Sequence, residues 1–184
     1  MTTRRPTSLL RAALLCAAGC AGALVGLPIL SAAPAAAQEF PACERFAWSV
    51  QRELAAFAEP GLPVLAPGAS LPAGTMAVNL RLRPAAEANF PVPPERAPKP
   101  DTFGGFVTAP AVPGGVYQVT VSSEAWIDVS QDGRTSLKSL GQSGQKGCPS
   151  VRKSLRFRLE PGPVTIQLSG APVDQVAVGL FRAD

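Results

Sequence analysis

From Phe103 onward, apolar and polar residues alternate with a period of two, broken mainly at turn signals. Tyr117, Val119 and Val121 share one face of a strand over 115–122. Ala125, Ile127 and Val129 do the same over 125–130, with Trp126, Asp128 and Ser130 on the opposite face. Val151, Leu155, Phe157 and Leu159 face inward over 151–159, against Arg152, Ser154, Arg156 and Arg158; Lys153 is the one charge on the inward face, at its rim. Val164, Ile166 and Leu168, then Val176, Val178 and Leu180, close the series. Alternation of this kind marks half-buried strands. Residues 106–109 and 137–140 read as two shorter strands. Asp132-Gly133 is a hairpin-turn pair, and 141–149 reads as a Gly- and Ser-rich loop carrying Cys148.

The N-terminal third is different. Phe46, Val50, Leu54 and Phe57 recur at helical spacing, which predicts one amphipathic helix over 42–58, ended by Pro60-Gly61. Residues 60–113 hold 12 of the 17 prolines that follow residue 37. Proline lacks the donor that helices and ladders require, so this stretch reads as a strap with one strand, in which Met76, Val78, Leu80 and Leu82 alternate with polar or small residues. Pro91 to Pro100 reads as extended polyproline crossing the surface. Seven or so short strands with no strand–helix–strand rhythm predict a mainly β protein. The expected fold is an antiparallel β-sandwich, its core within 103–182, with one N-terminal α-helix packed on it.

Ahead of all this lies an export signal. Arg4, Arg5 and Arg11 precede an uncharged apolar run from Ala12 to Leu30, and Ala35-Ala36-Ala37 offers small residues for cleavage before Gln38. The expected organisation is therefore a signal peptide, 1–37, and a single domain, 38–184, periplasmic or secreted, with no membrane span after cleavage. Two alternatives keep the N-terminus: an uncleaved apolar anchor, or a lipoprotein acylated at Cys20.

Cleavage changes the charge. The loss of Arg4, Arg5 and Arg11 takes 17 basic residues to 14, against 13 acidic ones. The near-balance that remains is no footprint for nucleic acid. It also removes Cys16 and Cys20, leaving Cys43 and Cys148 as an even pair in an oxidising compartment, expected to be bonded.

The segments Gly115–Val121, Ala125–Gly133 and Ser154–Ser169, with their Asp-turn-Gly and Pro-Gly punctuation, resemble the bacterial pre-peptidase C-terminal domain and related jelly-roll modules of exported enzymes over residues 103–182. That resemblance implies a jelly-roll-like sandwich with a non-catalytic accessory or binding role. It supplies no site residues, and no catalytic domain accompanies it.

The chain contains no histidine. Ser-His-Asp and Cys-His catalysis, the HExxH zinc motif and the two-histidine iron site are therefore excluded. Two bonded cysteines supply no thiolate metal site. Ser150 and Lys153 spell S-x-x-K, but in a strand positions three apart face opposite ways. Asp128, Ser130, Asp132 and Gly133 match the first half of a calcium loop, which lacks its closing glutamate at Ser139. Trp126 beside Asp128 has the chemistry to stack a sugar ring and accept its hydroxyls, unless the N-terminal helix covers that face. Arg152, Arg156 and Arg158 form a basic row on one strand.

The reading is an exported, non-catalytic β-sandwich that binds an envelope protein or glycan, with no resident cofactor. The candidate contact residues are Trp126, Asp128 and Asp132. One alternative is a calcium- or glycan-binding accessory domain on the same residues. The other is an enzyme using carboxylates alone, for which Glu124 and Asp128 are the nearest pair.

Overall fold

Strand residues that alternate in the sequence meet across two facing sheets. The structure, a computed structural model, describes residues 41–183; the predicted signal and its cleavage point at Ala37 and Gln38 lie outside the described residues. One sheet has six strands in the order β1 (Val64–Leu65), β2 (Ala77–Arg81), β10 (Gln175–Arg182), β5 (Gly115–Val121), β8 (Lys153–Leu159) and β7 (Gly141–Gly144). The other has four, in the order β3 (Arg83–Pro84), β4 (Phe103–Val112), β9 (Gly162–Ala171) and β6 (Trp126–Ser130). Every pairing is antiparallel except β1 with β2. The protein is a β-sandwich.

Register explains the core. Val119 lies opposite both Leu180 and Leu155, and Val178 opposite Val78. In the second sheet Ile166 lies opposite both Val107 and Val129. These side chains fill one buried cluster between the sheets. Each fully buried valine, leucine or isoleucine contributes about 1.5–3 kcal/mol relative to exposure.

The outer faces are also covered, which a simple half-buried strand does not predict. Residues 41–57 lie over the six-stranded sheet in two short helices, α1 (Pro41–Glu44) and α2 (Gln51–Phe57), in place of the single helix expected over 42–58. Between them the backbone leaves the helical path because the sheet offers better partners. Ala47 N–H donates to Ser143 Oγ at 2.9 Å, and Trp48 Nε1–H donates to Ser154 Oγ at 3.0 Å. Phe46 and Val50 pack with Cys43, Cys148 and Val151 in a second buried cluster. Cys43 and Cys148 are bonded, with Cα atoms 4.8 Å apart, which ties this cover to the loop after β7.

Under the cover lies a polar network. Glu53 is fully buried; its Oε1 accepts from Gln118 Nε2 at 2.6 Å, while Oε2 is buried without a partner. Gln118 Oε1 accepts from Arg156 Nε and a terminal guanidinium nitrogen at 3.0 and 2.7 Å, and that guanidinium lies 4.5 Å from the Trp48 ring centroid.

The four-stranded sheet is covered by the proline-rich segment. Phe90 packs its ring against Gly104, where a Cβ would stand 2.4 Å from the ring. Buried Val92 donates its N–H to Gln167 Oε1 at 3.3 Å, and Arg96 reaches Trp126.

Several elements differ from the sequence pattern. The proline-rich stretch holds β1 and β3 as well as β2. β4 runs for ten residues because irregular register at Phe103/Gly105 and Ala109/Val112 absorbs Pro110 in the second gap. Residues 137–140 form no strand: Leu137 N–H makes one bond back to Val129 O, and the next strand, β7, lies inside the expected loop and pairs with β8 in the other sheet, so the Asp132-Gly133 turn closes no hairpin.

Candidate functional site

At one end of the sandwich β6, an outer strand of the small sheet, comes near β7 and β8 of the large one. Three clefts open there, of about 400, 360 and 250 Å³, and Trp126 and Lys153 line all three. β6 begins with Trp126, cross-strand from Ser169. β8 begins with Lys153, cross-strand from Val121. Lys153 sits half-buried on the inward face of its strand; its ammonium donates to Ala125 O at 3.1 Å and stands 5.2 Å from the Trp126 ring centroid. Burial lowers the Lys153 amine below its usual value. The charge of Glu124 opposes that shift and the charge of Arg152 adds to it.

The strap supplies the opposite wall. The Arg96 guanidinium stands 5.8 Å from the same ring centroid, and Lys99 lines the 400 Å³ cleft with Thr102, Ser169 and Gly170. Glu124 is at the rim, paired with Arg152 at 2.5 Å. Ser169 is 1% exposed and its Oγ has no hydrogen-bond partner; the Trp126 indole N–H is likewise buried and unpaired.

The candidate residues separate. Trp126 lies at the convergence of the clefts, half-buried under Arg96 and Lys153; the N-terminal helices lie on the other sheet. Asp128, two positions on, is buried beneath the strap. Its Oδ2 accepts from Gln167 Nε2 at 3.3 Å, while Oδ1 is buried without a partner; the Glu95 backbone and the Trp126 indole lie near the carboxyl. Burial raises its carboxyl above the ordinary carboxylate range. The Gln167 hydrogen bond and the nearby Glu95 backbone and Trp126 indole donors offset part of the shift, and the Glu95 charge adds to it.

Asp132 lies beyond the other end of β6. Its Oδ1 accepts from Arg134 N and Thr135 N, both at 2.8 Å, and from Ser130 Oγ at 3.0 Å; Oδ2 accepts from Thr135 Oγ1 at 2.7 Å. These donors, the Thr135 backbone foremost, hold the Asp132 carboxyl far below the usual range. Asp132 thus caps its own turn, in which Gly133 takes φ +66°. Among the described residues no group of three or more His, Cys, Asp or Glu is placed to hold a metal ion.

Glu124 and Asp128 are committed separately, one to Arg152 at the rim and the other to Gln167 beneath the strap. Ser150 is exposed in a left-handed turn with φ +61°. The basic row is broken up: Arg152 pairs with Glu124, Arg156 stacks on Trp48, and Arg158 faces solvent. The pattern did single out Lys153 as a charge on an inward face. It gave no sign of Arg96, Lys99 or Ser169, whose places depend on where the strap crosses the sheet.

Cys43 and Cys148 serve the N-terminal cover and line none of the clefts at this end. No helix among the described residues is long and apolar enough to cross a membrane. No protein-family model, curated protein or solved structure matches this chain significantly.

Proposed function

We propose that this protein is an exported, non-catalytic binding module of the cell envelope, periplasmic or secreted, and that it meets its ligand at the sandwich end around Trp126 and Lys153. The observation that carries the reading is the convergence of three clefts on those two side chains. Aromatic and cationic groups at a concave surface are typical of recognition sites. The absence of histidine and the separate commitments of Glu124 and Asp128 leave these clefts equipped for binding. The signal-like N-terminus and the Cys43–Cys148 bridge support an oxidising compartment. The accessory role implied by the resemblance to pre-peptidase C-terminal modules points the same way.

Trp126 can report on its own site. A Trp48→Phe variant leaves its indole as the sole tryptophan. Titration with solubilised envelope polymers and detergent-extracted envelope proteins is expected to give a saturable change in its fluorescence, lost in Lys153→Met. No change with any fraction overturns the proposal.

A further inference from the structure

We infer that the 400 Å³ cleft takes an anionic group, a phosphate or a carboxylate, held between the strap cations Arg96 and Lys99 and the sheet cation Lys153, with Ser169 Oγ as an additional hydrogen-bond partner. The inference rests on the binding-module reading and names its ligand class. Arg96, Lys99 and Lys153 all line this cleft. The acid at its rim, Glu124, is already paired with Arg152. Among the described residues no carboxylate pairs with any of the three cations.

The geometry favours a charge over a sugar ring. Arg96 and Lys153 both stand over Trp126, so the indole positions two cations toward one space and is occupied as a stacking platform. An ammonium has three donors, and Lys153 uses one on Ala125 O. Ser169 is buried, lines the same cleft and has no partner for its hydroxyl. A buried, unpaired hydroxyl and a half-desolvated ammonium both carry a cost that an anionic oxygen relieves. The low-dielectric walls strengthen that attraction. Arg96 and Lys99 sit in a proline-rich segment whose extended form is largely set in advance, so little freedom is lost when they engage.

The test uses the full chain carrying Trp48→Phe and reads Trp126 fluorescence at constant ionic strength. The probes are inorganic phosphate, glucuronate and, as the neutral control, glucose. Saturable binding of phosphate, of glucuronate or of both is expected, and which of them binds identifies the source of the charge. Lys153→Met and Arg96→Met should each weaken binding on the order of tenfold, the loss of one charge-assisted hydrogen bond. Ser169→Ala should weaken it several-fold. Arg158→Met removes the same charge from an exposed site outside the cleft and should change nothing. Because Arg96 lies on the strap, its variant stays informative if Lys153→Met fails to fold. Equal losses in Arg96→Met and Arg158→Met overturn the inference. Silence of both anions while glucose or an envelope polymer still perturbs Trp126 overturns it too, and leaves the binding-module reading standing. Silence of every probe and polymer overturns both.

Discussion

Gln118 Nε2 donates a 2.6 Å hydrogen bond to the buried carboxylate of Glu53, and the same amide accepts from Arg156 through its oxygen. One glutamine on β5 therefore joins the N-terminal cover to the β8 arginine that stacks on Trp48. Replacing it leaves a fully buried carboxylate without its one donor. Gln118→Ala should cost about 2–4 kcal/mol, from lost packing and the orphaned acid together. Glu53→Ala removes the acid with its own orphaned Oε2 and should cost less. Chemical denaturation of both variants checks the order; a larger loss in Glu53→Ala contradicts it.

The cover is also tied covalently. The Cys43–Cys148 bridge spans a sequence separation of 105 residues, and closing a loop of that size stabilises by about 4–5 kcal/mol in the chain-entropy model. Cys148→Ser should lower the denaturation midpoint by a corresponding amount. An unchanged midpoint would mean that the cover holds by packing alone.

Acid titration separates the two β6-region carboxylates. Asp128 has its carboxyl raised above the ordinary 3.8, mainly by burial. Between 3.8 and that raised value the folded state holds more proton than the unfolded chain, so stability falls as pH rises through the window. Asp132 has its carboxyl lowered below 3.8. The stability it contributes is present above 3.8 and lost as pH falls toward its folded value. Stability measured against pH should lose the first slope in Asp128→Asn and the second in Asp132→Asn. Persistence of either slope in its own variant contradicts the assignment.

The strap is anchored by a close approach. A Cβ at Gly104 would stand 2.4 Å from the Phe90 ring and 3.0 Å from Leu168 O. Gly104→Ala should displace Phe90, cost about 1–3 kcal/mol and weaken binding at the Trp126 cleft by loosening Arg96. Proteolysis of residues 90–100 should quicken in the variant. Cleavage at the wild-type rate would mean that the strap is held elsewhere.

Runs such as Val176, Val178 and Leu180 announce their strands because one face meets a core of fixed composition. Lys153 was visible as a charge on an inward face for the same reason. Phe46, Val50, Leu54 and Phe57 have helical spacing, yet the chain breaks between Glu44 and Gln51, since Ser143 and Ser154 compete for Ala47 and Trp48. Gln118, Thr120 and Ser154 look solvent-facing by alternation and are buried, because a distant segment folds over them. The cleft was half legible: Trp126 and Lys153 stand in strands, but Arg96 and Lys99 arrive on a proline segment whose path no local pattern fixes.

Export has its own test. N-terminal sequencing of the protein recovered from its native compartment should begin at Gln38. A chain that keeps residues 1–37, or one acylated at Cys20, would replace the free form with a tethered one.

Where the ligand binds can be measured directly. Backbone chemical-shift mapping of the labelled protein with solubilised envelope material measures it without presuming the ligand. Perturbations are expected at Arg96 to Thr102, Glu124 to Trp126, Gln142 to Gly144, Arg152 and Lys153, and Ser169 and Gly170. Perturbations gathered instead around the cleft formed by Ala56, Pro60, Leu62 and Met76 at the β1–β2 edge, or an unperturbed spectrum, would contradict binding there.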